Sequence, residues 1–255
     1  MPLLEDAMAQ TPPPEVDPLA ETVKIEREVV TVYGTRLSPF VEKVVRALQW
    51  KRIPFELVSP RTPRDLARWN PQTRKMPAAQ IRGERVIDST FILRRLEELQ
   101  PEPALFSKEP AAAASQRLLE DWADESLYWL RMAILWSDPR RASDAVLSTL
   151  PIPALLHPVL RPIIARQIGG QARTQGFGRL PIETLREELG ARCDDLVALL
   201  GNRDFFFGDE PSAADLAVFA MLHFEGAPAP PDFDRAFGDH AALATWASRV
   251  DTVTA

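Results

Sequence analysis

Residues 29–99 alternate between short runs of β-branched residues and segments with helical periodicity. The run at 29–33 ends at Gly34 and predicts a buried strand. Ser38 and Pro39 then favour a helix start, with serine as the N-cap and proline in the first turn. Further along, the pattern predicts strands at 53–58, 77–81 and 85–87 and helices at 63–69 and 88–98. The element order is therefore βαβαββα, an α+β arrangement with one parallel and one antiparallel part.

The second half of the chain has a different pattern. Residues 100–110 include Pro101 and Pro103 and are interpreted as a linker. From residue 111 to residue 255 no strand is predicted, and apolar residues recur near helical spacing. They include Leu118, Trp122, Leu127, Leu130 and Ile134 in one segment and Leu189, Cys193, Leu196, Leu199 and Leu200 in another. Prolines at 151, 153, 158 and 162 interrupt the apolar stretch 150–162 and predict kinked helices or irregular packing, because an internal proline removes a helix hydrogen bond.

The first 27 residues combine prolines with acidic and small residues. Such a segment buries too little apolar surface to offset its ordering entropy, so it is predicted to be a flexible tail. It has no basic start followed by a long apolar run, which argues against a secretory signal. No uninterrupted apolar stretch in the chain approaches the length of about 18 residues needed to span a bilayer. We therefore expect a cytoplasmic protein without a stable membrane span.

Composition excludes several function classes. The chain has 255 residues, 30 basic and 36 acidic, for a formal net charge of −6. It thus lacks the basic footprint of a nucleic-acid-binding protein, and no nucleic-acid partner is expected. Its single cysteine, Cys193, excludes an intramolecular disulfide, a four-cysteine zinc site and a CxxC redox motif, and is interpreted as a small buried hydrophobe. The three histidines lack metal-ligand spacing, so no metal site is predicted.

Four short motifs, in order along the chain, resemble those of the glutathione S-transferase superfamily. They are Ser38-Pro39-Phe40 at the first helix start, Lys75-Met76-Pro77 before the hairpin, Asp88-Ser89 at the next helix start, and the segment GDEPSAAD at 208–215. The resemblance, to serine-type members in the first half, implies a thioredoxin-like glutathione-binding domain at 28–99. A linker at 100–110 and an all-helical C-terminal domain at 111–255 would follow. The resemblance also implies glutathione as cofactor, a small electrophile as substrate, a role in detoxification and a possible homodimer.

The same resemblance assigns roles to individual residues. Ser38 would contact the glutathione thiol, with Tyr33 as the rival hydroxyl. Met76-Pro77 would contain a cis peptide bond and pair through the Met76 backbone with the cysteinyl unit. Asp88 would bind the γ-glutamyl ammonium, and Ser89 with helix amides its carboxylate. The remaining cofactor contacts would be Phe40 and Lys75, with Arg74 and Lys51 as weaker choices for the glycyl carboxylate.

Physical magnitudes support a serine as the thiol-activating group. A free thiol has a pKa near 8.5, so lowering it by about two units requires roughly 2.7 kcal/mol. A hydrogen bond to a charged group contributes about 1.5–3 kcal/mol, and a helix N-terminus adds about 0.3–1 kcal/mol. Ser38 offers both contributions if it lies at the helix start. On local sequence alone, however, an ordinary N-cap is the favoured interpretation of Ser38, and the ordered motifs beside it favour the contact with the thiol.

Two further sets of residues have structural and functional interpretations. Trp122 and Tyr128, with Trp129, Met132 and Trp136, would line an acceptor pocket, although an aromatic stripe at helical spacing also fits a core. Ser212 and Asp215 have the spacing of a capping box and are interpreted as structural.

An alternative function comes from a second resemblance. Residues 121–128, DWADESLY, and 176–179, GFGR, are similar to the metaxin and failed-axon-connections branch of the superfamily. That branch implies a protein with weak or no catalysis that acts in binding or assembly, and the proline-broken stretch 150–162 agrees with it. Glutathione affinity discriminates between the two functions.

Overall fold

The computed structural model describes residues 29–148, 150, 152–223 and 230–255; the predicted tail at 1–27 lies outside them. Its first half contains a four-stranded mixed sheet in the order β2-β1-β3-β4. Strand β1 pairs in parallel with β2 and antiparallel with β3, which forms an antiparallel hairpin with β4. The strands are β1 Val30–Tyr33, β2 Phe55–Val58, β3 Ala78–Ile81 and β4 Glu84–Ile87. This is the βαβαββα order predicted from the sequence.

Three helices complete this half: α1 Pro39–Trp50, α2 Pro63–Trp69 and α3 Ser89–Leu99. Helix α1 is the central one, because it packs both against α3 and against the helical second half. Its apolar side chains are buried, among them Val41, Val44 and Leu48. The helix also buries three charged side chains, Glu42, Lys43 and Arg46. Burial of charge on one helix requires partners from neighbouring elements.

The second half is helical, and within the described residues from 111 onward its β-structure is limited to an isolated bridge between Phe205 and Gly208. Its α-helices are α4 Pro110–Trp122, α5 Tyr128–Leu135, α6 Pro139–Ser148, α7 His157–Ile164, α8 Gly170–Gln175, α9 Ile182–Leu200, α10 Ala213–Leu222, α11 Pro231–Asp239 and α12 Ala241–Val253. Two π-helical turns, Ala123–Leu127 and Ala165–Gly169, connect α4 to α5 and α7 to α8. The predicted fold class, a thioredoxin-like α+β half followed by a helical half, is confirmed.

Two of the apolar residues noted at helical spacing face solvent. Leu118 is 72% exposed and Leu199 is 39% exposed. Helix α4 instead turns Gln116 and Glu120 inward, together with Ala113. The π-helical turn that follows adds a residue to the turn, so positions before and after it do not share one apolar stripe. Leu118 therefore faces solvent although its spacing from Leu127 and Leu130 is close to helical.

The proline-broken stretch is irregular, as predicted. A 3₁₀ turn at Ala154–Leu156 leads into α7, which contains Pro162, and the π-helical turn follows. Several apolar side chains of this stretch face solvent: Leu155 is 88% exposed and Val159 65%. No helix within the described ranges is both long and apolar enough to cross a membrane.

The capping box joins three elements. Asp215 accepts hydrogen bonds from the backbone N–H and the hydroxyl of Ser212, at 3.0 and 2.7 Å. It also accepts one from the backbone N–H of Phe206 and one from the indole of Trp246, both at 2.9 Å. A buried carboxylate with four donors fixes the start of α10 against α12, which agrees with the structural role expected for both residues.

Candidate functional site

Ser38 lies at the N-cap of α1. Its backbone carbonyl accepts hydrogen bonds from the N–H groups of Val41 and Glu42, both at 3.0 Å. Its side chain makes no capping bond, and the described residues offer its hydroxyl no other hydrogen-bond partner. The backbone thus performs the cap while the half-buried hydroxyl stays available. This differs from an ordinary N-cap serine, whose oxygen accepts from a first-turn N–H.

A second loop approaches the start of α1. The Met76–Pro77 peptide bond is cis, as the resemblance implies. Buried Asn70 supports this loop, because its side-chain amide donates to the backbone oxygen of Lys75 at 3.1 Å. A Cβ atom added to Gly34, at the end of β1, would lie 2.5 Å from Val41 Cγ2 and 3.4 Å from Met76 Cβ. Only glycine therefore allows this close approach of the β1–α1 loop to α1 and the Met76 loop.

Asp88 occupies a strained turn beside that loop. Its φ angle is 76°, a conformation that costs a non-glycine residue on the order of 1–3 kcal/mol. Its carboxylate accepts from the backbone N–H of Thr90 at 3.0 Å, and its own N–H donates to the Pro77 oxygen at 3.3 Å. Asp88 is exposed and the next residue, Ser89, is buried at the first turn of α3. The motifs around Pro77 and Asp88 are therefore in direct contact.

The basic candidates separate into two groups. Lys75 and Arg74 are exposed, and neither side chain forms an ion pair with the described residues. Lys51 is fully buried, and its ammonium group donates to the backbone oxygens of Gln100 at 2.6 Å and Pro103 at 2.8 Å. It also forms a 2.6 Å ion pair with Glu97. Lys51 therefore secures the linker, and the weaker expectation that it contacts glutathione is wrong.

Tyr33, the rival hydroxyl, is engaged in packing. The centroid of its ring lies 5.1 Å from that of the Trp69 ring, and the Arg85 guanidinium lies 4.4 Å from the centroid of the Tyr33 ring. These contacts support the packing role for Tyr33.

The residues expected to line an acceptor pocket in the helical half differ in their contacts. The Tyr128 ring lies 4.8 Å from the ring of Phe40 and 5.0 Å from that of Trp129, so three rings in contact connect α1 to α5. Phe40, Tyr128 and Trp122 all pack against the main core, but among the described residues Trp122 has no ring contact with Phe40. Met132 and Trp136 are at most 8% exposed and form a smaller core cluster, so neither lines an open pocket. Cys193 is buried as expected, and this burial raises its pKa to about 11.

An ionic network that sequence reasoning missed joins α1, α3 and the helical half. The buried ammonium of Lys43 lies 3.0 Å from Glu120 Oε1 and 2.5 Å from Asp124 Oδ2. The Thr90 hydroxyl, in the first turn of α3, donates to Glu120 at 2.9 Å. The π-helical turn Ala123–Leu127 carries Asp124, whose other oxygen is buried without a partner among the described residues. Through Lys43 and Thr90, the network ties α1 and the first turn of α3 to the helical half.

The Lys43 ammonium is shared by two buried carboxylates, Glu120 and Asp124, and this sharing affects the pKa values of the network. Burial opposes the charge of Lys43, but Asp124 and Glu120 outweigh it and raise the pKa of the ammonium. Burial raises the pKa of Asp124 to about 6; Lys43 partly offsets this, while Glu120 and Asp88 add to it. Lys43 therefore stays charged, and Asp124 is the carboxyl that takes up a proton as the pH falls towards 6.

A second buried ionic cluster holds the other face of α1. Burial opposes ionisation of Glu42, yet the guanidinium groups of Arg36 and Arg46 hold its pKa below the usual value. Arg46 also donates to the Thr254 hydroxyl at 3.2 Å and lies 4.9 Å from the Phe219 ring centroid. The only sequence signal for these networks is the set of charged residues between the apolar positions of α1. No local sequence pattern identifies the partners of these charged residues.

Comparison with known proteins assigns the chain to a family. Residues 32–104 match the family described as glutathione S-transferase, N-terminal domain, and residues 190–250 match glutathione S-transferase, C-terminal domain. The chain belongs to the glutathione S-transferase superfamily. Glutathione S-transferase U9 of Arabidopsis thaliana is 24% identical over 127 residues, which make up 48% of this chain. That match spans 52% of the curated relative, about half its length.

Solved structures of other proteins show the same fold. The β-etherase LigF from Sphingobium sp. strain SYK-6 aligns over 88% of this chain and 95% of its own, with a TM-score of 0.64 and 21% identity. A glutathione S-transferase from Methylobacterium radiotolerans, solved in complex with glutathione sulfonate, aligns over 87% and 90% with a TM-score of 0.56 and 24% identity. Membership of the superfamily supports a function of the glutathione-transferase type.

Proposed function

We propose that this chain is a glutathione-dependent transferase that joins the glutathione thiolate to a small electrophile. One observation carries the proposal: the Ser38 hydroxyl, at the start of α1, has no partner among the described residues and so is available to donate to a sulfur. The N-terminal end of α1 favours negative charge at the same place. Together these contributions match the roughly 2.7 kcal/mol needed to lower a thiol pKa by about two units.

The remaining glutathione contacts follow from the neighbouring loops. The Met76 backbone would pair with the cysteinyl unit, and Phe40 would pack beside it. Asp88 would bind the γ-glutamyl ammonium, with Ser89 and the α3 amides binding the α-carboxylate. Lys75 would bind the glycyl carboxylate as an exposed cation. A bound anionic tripeptide thus has a complementary group for each of its charges.

The chemical step is a nucleophilic substitution or addition. The thiol loses its proton to solvent, and Ser38 stabilises the resulting thiolate by donating a hydrogen bond. The sulfur then attacks the electrophilic carbon, so that an S–C bond forms and, in a substitution, the leaving group departs with its electron pair. The Tyr128 ring lies 4.8 Å from that of Phe40 and would line the acceptor side, whereas Trp122 has no ring contact with Phe40 among the described residues and is the weaker choice.

The test combines calorimetric titration of glutathione with turnover of 1-chloro-2,4-dinitrobenzene. Ser38→Ala is compared with Tyr33→Phe, which removes the rival hydroxyl, and with Thr62→Ala, which removes another hydroxyl beside a proline at a helix start. We expect Ser38→Ala alone to lower kcat/KM, by about tenfold or more. Equal activity in Ser38→Ala and wild type would contradict the role of Ser38.

The alternative is a transferase-like protein that acts in binding or assembly. One observation favours it: Leu155, Val159 and Ile163, in the proline-broken stretch, are about half to nine-tenths exposed. Solvent-exposed apolar clusters of this kind often mark interaction surfaces. Absence of glutathione binding in the calorimeter would favour this function over the first.

A further inference from the structure

A cleft of about 500 Å³ opens between α5 and the segment that runs from the second π-helical turn into α8. Five of its lining residues are exposed, so the cleft is open to solvent along this side. The residues that line it are Trp129, Arg166, Gln167, Gly170, Gln171, Thr174 and Gln175. Each wall begins at a π-helical turn, Ala123–Leu127 before α5 and Ala165–Gly169 before α8. Such turns are rare and occur often at functional sites.

The cleft contains one cation and no anion. Arg166 forms no ion pair with the described residues, and no acidic residue occurs between Asp144 and Glu183 in the sequence. Asp144, the acidic residue that precedes this stretch, pairs with Arg161 at 2.6 Å. An arginine without a carboxylate partner presents a planar fork that matches a carboxylate in two hydrogen bonds.

The other lining residues favour a flat, partly polar ligand. Trp129 offers an indole surface for stacking on an aromatic ring. The side chains of Gln167, Gln171 and Thr174 add hydrogen-bonding groups along the opposite wall. A carboxylate attached to an aromatic ring satisfies both features, because the ring stacks on Trp129 while the charge meets Arg166.

The cleft is connected to the proposed thiol site. The rings of Phe40, Tyr128 and Trp129 lie in sequence, with centroid separations of 4.8 and 5.0 Å. Phe40 follows Ser38 by two residues, so this row of packed rings begins in the first turn of α1 and ends at the cleft wall. An acceptor that extends from the start of α1 along this row would place its far end in the cleft.

We propose that this cleft binds the aromatic carboxylate end of the acceptor and that Arg166 determines the preference for that charge. The inference rests on the proposed transferase function, because it assigns the cleft to the acceptor. The substrate class is therefore an aromatic electrophile that carries a carboxylate away from the reacting carbon. Arg166 acts on binding and takes no part in the chemical step.

Calorimetric titration with 2-naphthoate and its neutral analogue 2-naphthamide tests the binding claim. Wild type is expected to bind the carboxylate at least about tenfold more tightly than the amide. Arg166→Gln should abolish this preference, whereas Arg173→Gln, an exposed arginine of α8 outside the cleft lining, should preserve it. Equal affinities in wild type, or an unchanged preference in Arg166→Gln, would overturn the assignment.

Inhibition of 1-chloro-2,4-dinitrobenzene turnover by 2-naphthoate tests the connection to the acceptor site. We expect inhibition competitive with the electrophile, and a rise of about tenfold or more in the inhibition constant of Arg166→Gln. Noncompetitive inhibition would overturn the placement of the acceptor in this cleft.

Glutathione titration of each variant separates the two proposals: glutathione binding without carboxylate preference overturns the cleft assignment alone. Carboxylate preference without glutathione binding overturns the proposed function.

Discussion

Replacing Lys43 by methionine removes the cation shared by two buried carboxylates. Methionine matches the length of the lysine stem, so the substitution retains most of the packing of α1. Glu120 and Asp124, with side chains 2% and 12% exposed, then lose the ammonium that lies within 3.0 Å of both. Breaking a buried ion pair by removal of one partner costs about 3–5 kcal/mol, because an uncompensated charge remains. We expect a loss of this size in the free energy of unfolding.

The assay is urea unfolding at pH 7, followed by circular dichroism, together with calorimetric melting. For a chain of this length, each kcal/mol lost from the free energy of unfolding lowers the melting temperature by about 2–4 °C. The predicted decrease in melting temperature is therefore roughly 6–20 °C. Lys108→Met is the matched control, because Lys108 pairs with Glu102 at the surface, where both side chains are mostly exposed. No measurable change is expected in that variant.

A triple variant separates loss of charge balance from loss of packing. Lys43→Met, Glu120→Gln and Asp124→Asn together leave no uncompensated charge, and neutral replacement of a buried ionic group is often close to neutral in stability. The triple variant should therefore recover most of the loss seen in Lys43→Met. A single variant that loses less than about 1 kcal/mol, or a triple variant less stable than the single one, would refute this explanation.

Three other predictions concern titration, capping and thiol access. The pKa of Asp124 is about 6, above its ordinary 3.8, so the folded state binds more protons between these values and this group's contribution to stability falls as pH rises. Between pH 4.5 and pH 6.5, urea unfolding should show the stability of Asp124→Asn rising by about 2 kcal/mol relative to wild type, and the same difference at both pH values would argue against this titration. Ser212→Ala should lower the free energy of unfolding by about 1 kcal/mol, and an unchanged urea midpoint would mean that the capping box contributes nothing. Cys193, with a pKa of about 11, should react with a thiol reagent only in urea; rapid labelling of the native protein would show that the thiol is not buried.

Local patterns account for most of what was predicted. The β-branched run before Gly34, the Ser38-Pro39 helix start and the Ser212–Asp215 spacing each depend on nearby residues. Their structures follow from propensity and capping, so the order of strands and helices along the chain and the helix starts were accessible from sequence. Helix α2, Pro63–Trp69, was predicted with its bounds unchanged.

Long-range pairing accounts for what was missed. Lys43 contacts Glu120 and Asp124, which lie 77 and 81 positions away in the sequence. Nothing local distinguishes these carboxylates from surface acids, and the π-helical turn that positions Asp124 has no clear sequence signal. The same turn shifts the helical phase, which is why Leu118 faces solvent while Leu127 and Leu130 are buried. The roles of Ser38, Asp88 and Lys75 towards glutathione stay predictions.

The pKa of the bound glutathione thiol tests the central claim most directly. Ultraviolet thiolate absorbance, recorded against pH with saturating glutathione, gives this value for wild type and Ser38→Ala. We predict a thiol pKa about two units below the free value near 8.5 in wild type. In Ser38→Ala it should rise by about one to two units, because the hydroxyl bond contributes about 1.5–3 kcal/mol. The same lowered pKa in both proteins would contradict the assignment of Ser38 as the group that stabilises the thiolate.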